Sequence, residues 1–163
     1  YEISACLVGS EMCIRDSVRN ALRSPGEAFK AEGRMEYQPL EFMGKLAFEG
    51  PVLFSGEICS NGEGVVLSGR AQAELRMNCN RCDREFIMPV NAAVSEMYYL
   101  EPAPGHERVL KDSQWLSLDE PVLESILMEI PIRRLCSENC RGLCGICGGD
   151  LNQGECSCRR NSN

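Results

Sequence analysis

Between Val65 and Met77 the chain alternates. Val65, Leu67, Gly69, Ala71, Ala73, Leu75 and Met77 fall on one side, and Arg70, Gln72, Glu74 and Arg76 on the other. A period of two marks a strand with one face in a core and the other in water. Phe86 to Leu100 reads as its partner, with Pro89 disrupting one ladder position. The intervening NCNRCDRE then forms the turn of a long antiparallel hairpin, with Cys79 and Cys82 at its tip. Upstream, Lys45 to Ile58 alternates in part and is interrupted at Gly50-Pro51, which suggests a bulge or edge position. Asn61-Gly62 is a hairpin turn signal. Ser17 to Glu32 predicts a short helix or irregular arm with a turn at Ser24-Pro25-Gly26, and β character begins at Phe29.

The period changes after Trp115 and Leu116, which are expected to re-enter the core from a Pro/Gly-containing loop over Glu101 to Gln114. Val122, Leu123, Ile126, Leu127 and Ile130 share one face at helical spacing. Asp119 stands before Glu120-Pro121 as the expected N-cap, and Pro131 ends the helix. Burying such a face is what stabilises a helix this short, so it is expected to pack on the sheet. The fold class is therefore α+β: a mainly antiparallel sheet with a long hairpin, one packing helix and a cysteine-rich, zinc-ribbon-like C-terminal tail.

Charge changes the picture only by exclusion. The chain has 163 residues, a net charge of −7 and a pI near 4.9, a poor balance for non-specific nucleic-acid binding. No apolar run reaches the length of a membrane-spanning helix. Residues 1–17 contain ACLVGSEMCIRDS, which resembles translated sequencing-adapter read-through, so this stretch, with Cys6 and Cys13, is expected to be non-native. Removing its three acids and one base leaves the remainder acidic. The expected organisation is a β domain with its packing helix over 18–135 and a metal-binding tail over 136–163, docked on the hairpin tip.

The chemistry lies in the cysteines. Six of eleven fall in the tail: Cys136, Cys140, Cys144, Cys147, Cys156 and Cys158. With Cys79 and Cys82 they make eight, enough for two four-sulfur sites. Thiolates are soft ligands, and four around one ion select zinc, or iron in a cluster or rubredoxin-like site. CNRC and CGIC are C-x2-C pairs, CSENC is C-x3-C, and CSC puts two thiols on one side of an extended strand. Disulfides need an oxidising compartment, and no secretory signal is apparent; a thioredoxin-like pair needs a βαβ pattern that is missing. Reduced, metal-spaced thiols point to the cytoplasm. Lone Cys59 reads as a buried core thiol. The expected cofactor is zinc, as two ions, with iron as the alternative.

Nothing else suggests catalysis. The sequence carries no phosphate-binding Gly loop, no H-E-x-x-H and no G-x-S-x-G. The single histidine, His106, sits in the loop with no partner motif and reads as solvated. Sites filled by four thiolates keep no open position, so the metal is expected to be architectural and the protein not an enzyme.

FEGPVLFSGEI, VVLSGRAQAEL, the C-x-R-C of CNRC, DEPVLESILMEIPI and CSENCRGLCGICGGDLNQGECSC together resemble the YceD family, the bacterial large ribosomal RNA subunit accumulation proteins. Leu143, Cys144, Cys147, Gly148, Leu151 and Asn152 stand where the family's terminal pattern wants them. The resemblance covers Ser17 to Cys158, and its specificity rests on the cysteine run. It departs at the start and at the short end RRNSN, where many members continue with an aspartate- and tryptophan-bearing tail. It implies a role in ribosome assembly rather than a known reaction. Some members keep the CNRC-type pair but lack most of the terminal run, which implies a partition: Cys79, Cys82, Cys136 and Cys140 in one site, and Cys144, Cys147, Cys156 and Cys158 in the other. Spacing alone leaves an interleaved pairing open.

The leading expectation is a zinc-stabilised binding protein for the assembling large subunit. Arg81, Arg84, Arg133, Arg134, Arg141, Arg159 and Arg160 gather near the proposed metal and would suit RNA phosphates. A basic large-subunit ribosomal protein is the other candidate partner. The alternatives from other classes are a cysteine-based redox sensor or oxidoreductase and an iron–sulfur protein.

Overall fold

The computed structural model describes residues 10–158 apart from 107, 111–115 and 155, with side chains from Ser17 onward. Cys6, Trp115, Arg159 and Arg160 lie outside the described residues, as does the side chain of Cys13.

Alternation has become a single antiparallel sheet. Its centre is the hairpin of β5 (Gly64–Asn78) and β6 (Glu85–Tyr99), paired throughout from Gly64↔Tyr99 to Asn78↔Glu85. The other edge of β5 carries two strands end to end. β4 (Val52–Ser60) pairs with Gln72 to Val65, and β3 (Lys45–Phe48) with Met77 to Leu75. At the break, Glu49 to Val52 faces only Ala73 and Glu74, and the Glu49 amide still donates to the Glu74 carbonyl at 2.8 Å. The Gly50-Pro51 interruption is thus a bulge along one broken strand. β1 (Ala28–Met35) extends the sheet beyond β4, and β2 (Leu40–Glu41) beyond β3.

The β5 alternation holds: Leu67, Ala71, Leu75 and Met77 are buried while Arg70, Gln72, Glu74 and Arg76 are exposed. Gly56 and Gly69 pair opposite each other with the Phe54 ring laid over both; a Cβ at Gly69 would fall 2.7 Å from Phe54 Cζ. The paired glycines let the strands bend closely while the ring supplies the missing apolar cover. Cys59 differs from expectation. It falls one position out of phase with buried Ile58 and is partly exposed.

Two helices, rather than one, close the core. α1 (Ser10–Arg23) begins inside the stretch read as non-native and buries Val18 and Ala21 with Ala31 of β1; Ser17 Oγ donates to the Lys30 carbonyl at 2.6 Å. The turn at Ser24–Gly26 follows, with Gly26 at φ 89. α2 (Asp119–Met128) buries Val122 and Ile126 in the same core, and the predicted stripe packs on the sheet. Asp119 is not its cap. Leu118 occupies that position without a side-chain cap, held by its own burial in the core, and Asp119 is the first helical residue. The Asp119 carbonyl instead accepts from the Tyr37 hydroxyl at 2.8 Å.

Arg108, beyond the end of β6, is tied to the body through Glu96 of β6 and Glu120 and Glu124 of α2. His106 stacks on Tyr99 with ring centroids 3.6 Å apart. Among the described residues, no helix is long and apolar enough to cross a membrane.

Candidate metal centres

The described cysteines are all free, and eight of them converge in two groups. Cys79, Cys82, Cys136 and Cys140 form one; Cys144, Cys147, Cys156 and Cys158 form the other. Within each, the four sulfurs lie within 4.8 Å of one another. In the first group, Cys79 Sγ and Cys140 Sγ are 3.7 Å apart, and Cys82 Sγ and Cys136 Sγ 3.6 Å. A regular tetrahedron with metal–sulfur distances near 2.3 Å has edges of roughly 3.8 Å. Each donor set could therefore hold one metal ion, with every position filled by sulfur.

Both C-x2-C pairs make the same knuckle, bond for bond. The Cys79 amide donates to the Arg84 carbonyl at 2.9 Å, and the Cys144 amide to the Gly149 carbonyl at 2.8 Å. Asp83 donates back to the Cys79 carbonyl at 2.9 Å, as Gly148 does to the Cys144 carbonyl at 2.8 Å. The amides of Arg81 and Ile146 point at the first sulfur of each pair, both at 3.5 Å. The residue after the second cysteine is left-handed in both, Asp83 at φ 55 and Gly148 at φ 71. Such a turn favours Gly and tolerates Asp.

These amides shape the acidity of the metal-free thiols. Burial pushes the Cys79 thiol up, but backbone N–H groups outweigh it and hold it at about 6. The Cys144 thiol is likewise lowered to about 6, chiefly by the amides of Cys147 and Ile146. Their partners move the other way. Burial and then the neighbouring thiols push Cys136 up to about 12, and the Cys147 thiol together with burial pushes Cys158 to about 11. Four sulfurs this close cannot all ionise unless a cation joins them.

The two groups are laced together at the hairpin tip. Arg81 donates from its guanidinium to the Cys140 carbonyl at 2.8 Å, and its own carbonyl accepts from the Leu143 amide at 3.1 Å. Gly142, at φ 75, allows this approach; a Cβ there would meet the Arg81 carbonyl oxygen at 3.0 Å. Asn152 accepts from the Arg141 amide at 2.7 Å and directs its amide nitrogen at Cys140 Sγ, 3.5 Å away. Arg84 pairs with Asp150 at 2.8 Å. Asn152 had no chemical signature beyond its place in the run, yet it joins the segment between the second group's cysteines to a ligand of the first.

The seven arginines fare differently. Arg81 and Arg84 bind the tail, and Arg134 is buried with its guanidinium donating to the Met43 carbonyl. Arg133 and Arg141 are exposed. His106 joins neither sulfur group: its Nδ1 lies 2.7 Å from the Glu101 carbonyl.

Uncharacterized proteins of Mycobacterium bovis and Mycobacterium tuberculosis are 26% identical to this chain over 98 residues, covering 56% of it and 47% of theirs. The chain thus spans about half the length of the curated relatives it matches. No solved structure matches. A family model described as large ribosomal RNA subunit accumulation protein YceD matches residues 67–163, from within β5 through the hairpin, α2 and both sulfur groups. With more than half of its residues matched, the chain belongs to the YceD family.

Proposed function

We propose that this chain is a non-enzymatic binding protein of the cytoplasm that supports accumulation of large-subunit ribosomal RNA and assembly of that subunit. Two zinc ions hold its ribbon-like tail against the hairpin tip, and it contacts the RNA directly. Cys79, Cys82, Cys136 and Cys140 bind one ion, and Cys144, Cys147, Cys156 and Cys158 the other. The observation that carries this reading is the pair of all-sulfur groups, each with four donors and no open position, in a chain whose family is described by ribosomal RNA accumulation. A closed site stabilises a fold and leaves no place for a metal-bound water or substrate.

Elemental analysis of native protein is the first test, with two zinc per chain expected. A brown protein with bound iron would replace zinc by iron, and no metal at all would overturn the reading. Thiol counting on the loaded protein is expected to find Cys59 reactive and all eight clustered cysteines protected; a reactive clustered thiol would favour a redox role instead. A second reading, contact with a basic large-subunit ribosomal protein, is favoured by the net charge of −7. Crosslinking in cells separates the two: large-subunit RNA adducts support direct contact, and protein adducts alone support the second reading.

A further inference from the structure

A cleft of about 480 Å³ opens between the β2–β3 turn and the hairpin tip, beside the first sulfur group. Met43, Lys45, Asn80, Arg81, Arg134 and Leu143 are among its walls. Arg134 is the unusual member. Only 8% of it is exposed, its Nη2 donates to the Met43 carbonyl, and its Nε is buried without an acceptor. No other hydrogen bond or ion pair engages its side chain among the described residues. A guanidinium carries five N–H donors, and leaving the one on Nε buried and unmatched is costly.

The thiolates nearby do not account for it. Arg134 hydrogen-bonds to no cysteine sulfur, whereas the Arg81 amide and the Asn152 side chain both do. The other cations of the cleft add to the demand for an acceptor. Lys45 is exposed and has no ion pair among the described residues, and Arg81 spends one guanidinium nitrogen on the Cys140 carbonyl. The one carboxylate on the walls, Asp83, accepts from the Asn78 side chain at 3.1 Å through one oxygen, against three cations. Two apolar side chains reach the surface beside the cations: Met43 is 49% exposed and Leu143 43%. Cations and exposed apolar side chains on one cleft match a ligand with a multiply accepting anion joined to a flat or apolar body.

We propose that this cleft holds a backbone phosphate of unpaired RNA, with the guanidinium of Arg134 and the ammonium of Lys45 on the phosphate and the attached nucleotide against Met43 and Leu143. The inference rests on the direct RNA contact proposed above and assigns it a place. Phosphate oxygens suit the planar fork of arginine, and unpaired nucleotides can be splayed into a cleft of this size.

The test uses the full, metal-loaded chain and a fluorescein-labelled single-stranded oligoribonucleotide, followed by anisotropy over a series of salt concentrations. Lys45→Gln is expected to weaken binding by about tenfold at low salt and to reduce the salt slope by about one. Arg134→Lys, which keeps the charge but loses the fork, is expected to weaken it with two metals still bound. Wild-type binding that both variants leave unchanged would place the RNA elsewhere, sinking the cleft while sparing the RNA reading. No oligonucleotide binding by the wild type, with protein adducts alone from cells, would remove both. Metal loss in Arg134→Lys at unaltered RNA affinity would overturn the inference by making the guanidinium a counter-ion of the thiolates.

Discussion

The knuckle at the hairpin tip is clamped between two 15-residue strands, whereas its twin in the tail is closed by a single bridge, Leu143↔Asp150. The first group takes its other two sulfurs from beyond α2, across sequence separations of 61 and 54 residues, and its sulfurs sit among Phe86 and Leu135. The second draws all four from Cys144 to Cys158, with Cys147 exposed and neighbouring Ile146 75% exposed. The same donors in the same turn thus stand in two settings. One group gathers distant elements of a body that already has a core. The other gathers a segment with almost no core of its own.

The largest expected effect is that of metal removal. Structural zinc contributes about 10–16 kcal/mol in small metal-folded peptides, a sum no tail this poor in apolar contacts can replace. Chelation should leave the β-sheet signal of the body in circular dichroism while limited proteolysis cuts between Cys140 and Cys158. A metal-free tail as resistant as the loaded one would break the comparison.

Acid offers a second route to the same end. Cys79 and Cys144 titrate at about 6 against an ordinary 9.0. A lowered pKa means that the folded chain binds fewer protons than the unfolded one, so this contribution is complete above about 9 and lost as pH falls through about 6. Cys136 and Cys158 are raised, so theirs is complete below about 9 and lost as pH climbs towards 12 and 11. The sulfur groups of the metal-free chain should therefore favour the fold most near pH 9. The loaded chain should release metal to a zinc-sensitive dye on acidification, because protons compete with the ion for every ligand.

Ile126→Ala tests the body alone. Ile126 is fully buried, and truncating such a side chain costs about 2–5 kcal/mol. The thermal midpoint should fall while metal content stays at two per chain; metal loss would show that the core and the second group are not independent. Gly142→Ala tests the joint between them. Its left-handed backbone and the nearby Arg81 carbonyl should cost about 1–2 kcal/mol, read as faster proteolysis of the tail with little change in the body's midpoint. The smallest effect belongs to Arg84→Ala. The Arg84–Asp150 pair is exposed on the arginine side, so metal release to a chelator should speed up slightly at low salt and not at high salt.

Much of this was legible because it is local. The period of β5, its pairing with β6 as a hairpin and the apolar face of α2 follow from alternation and helical spacing. The cap of α2 was misread because Asp119 has the right chemistry for a cap, but the burial of Leu118 set where the helix starts. The other helix was legible only in part, as a short helix or irregular arm from Ser17, because its first half lies in a stretch read as foreign, and Cys59 was misplaced because an apolar run does not state its phase. Asn152 offered only its place in the cysteine run and Arg134 only its membership of a basic cluster, since an asparagine or an arginine acquires its particular role from what the fold places beside it.

By itself the sequence determined that eight thiols at ligand spacing belong to this chain and that two of them ride on a hairpin tip. Spacing is a property of neighbours, and it left open which pairs share a centre. Only the tertiary structure decided that. The end of α2 and the hairpin tip meet across more than fifty residues, so that CNRC faces CSENC, and CGIC is left to close on CSC. The fold likewise turned Arg81 and Arg84 towards the tail and buried Arg134. Of the described members of the basic cluster in sequence, only Arg81 and Arg134 line the cleft.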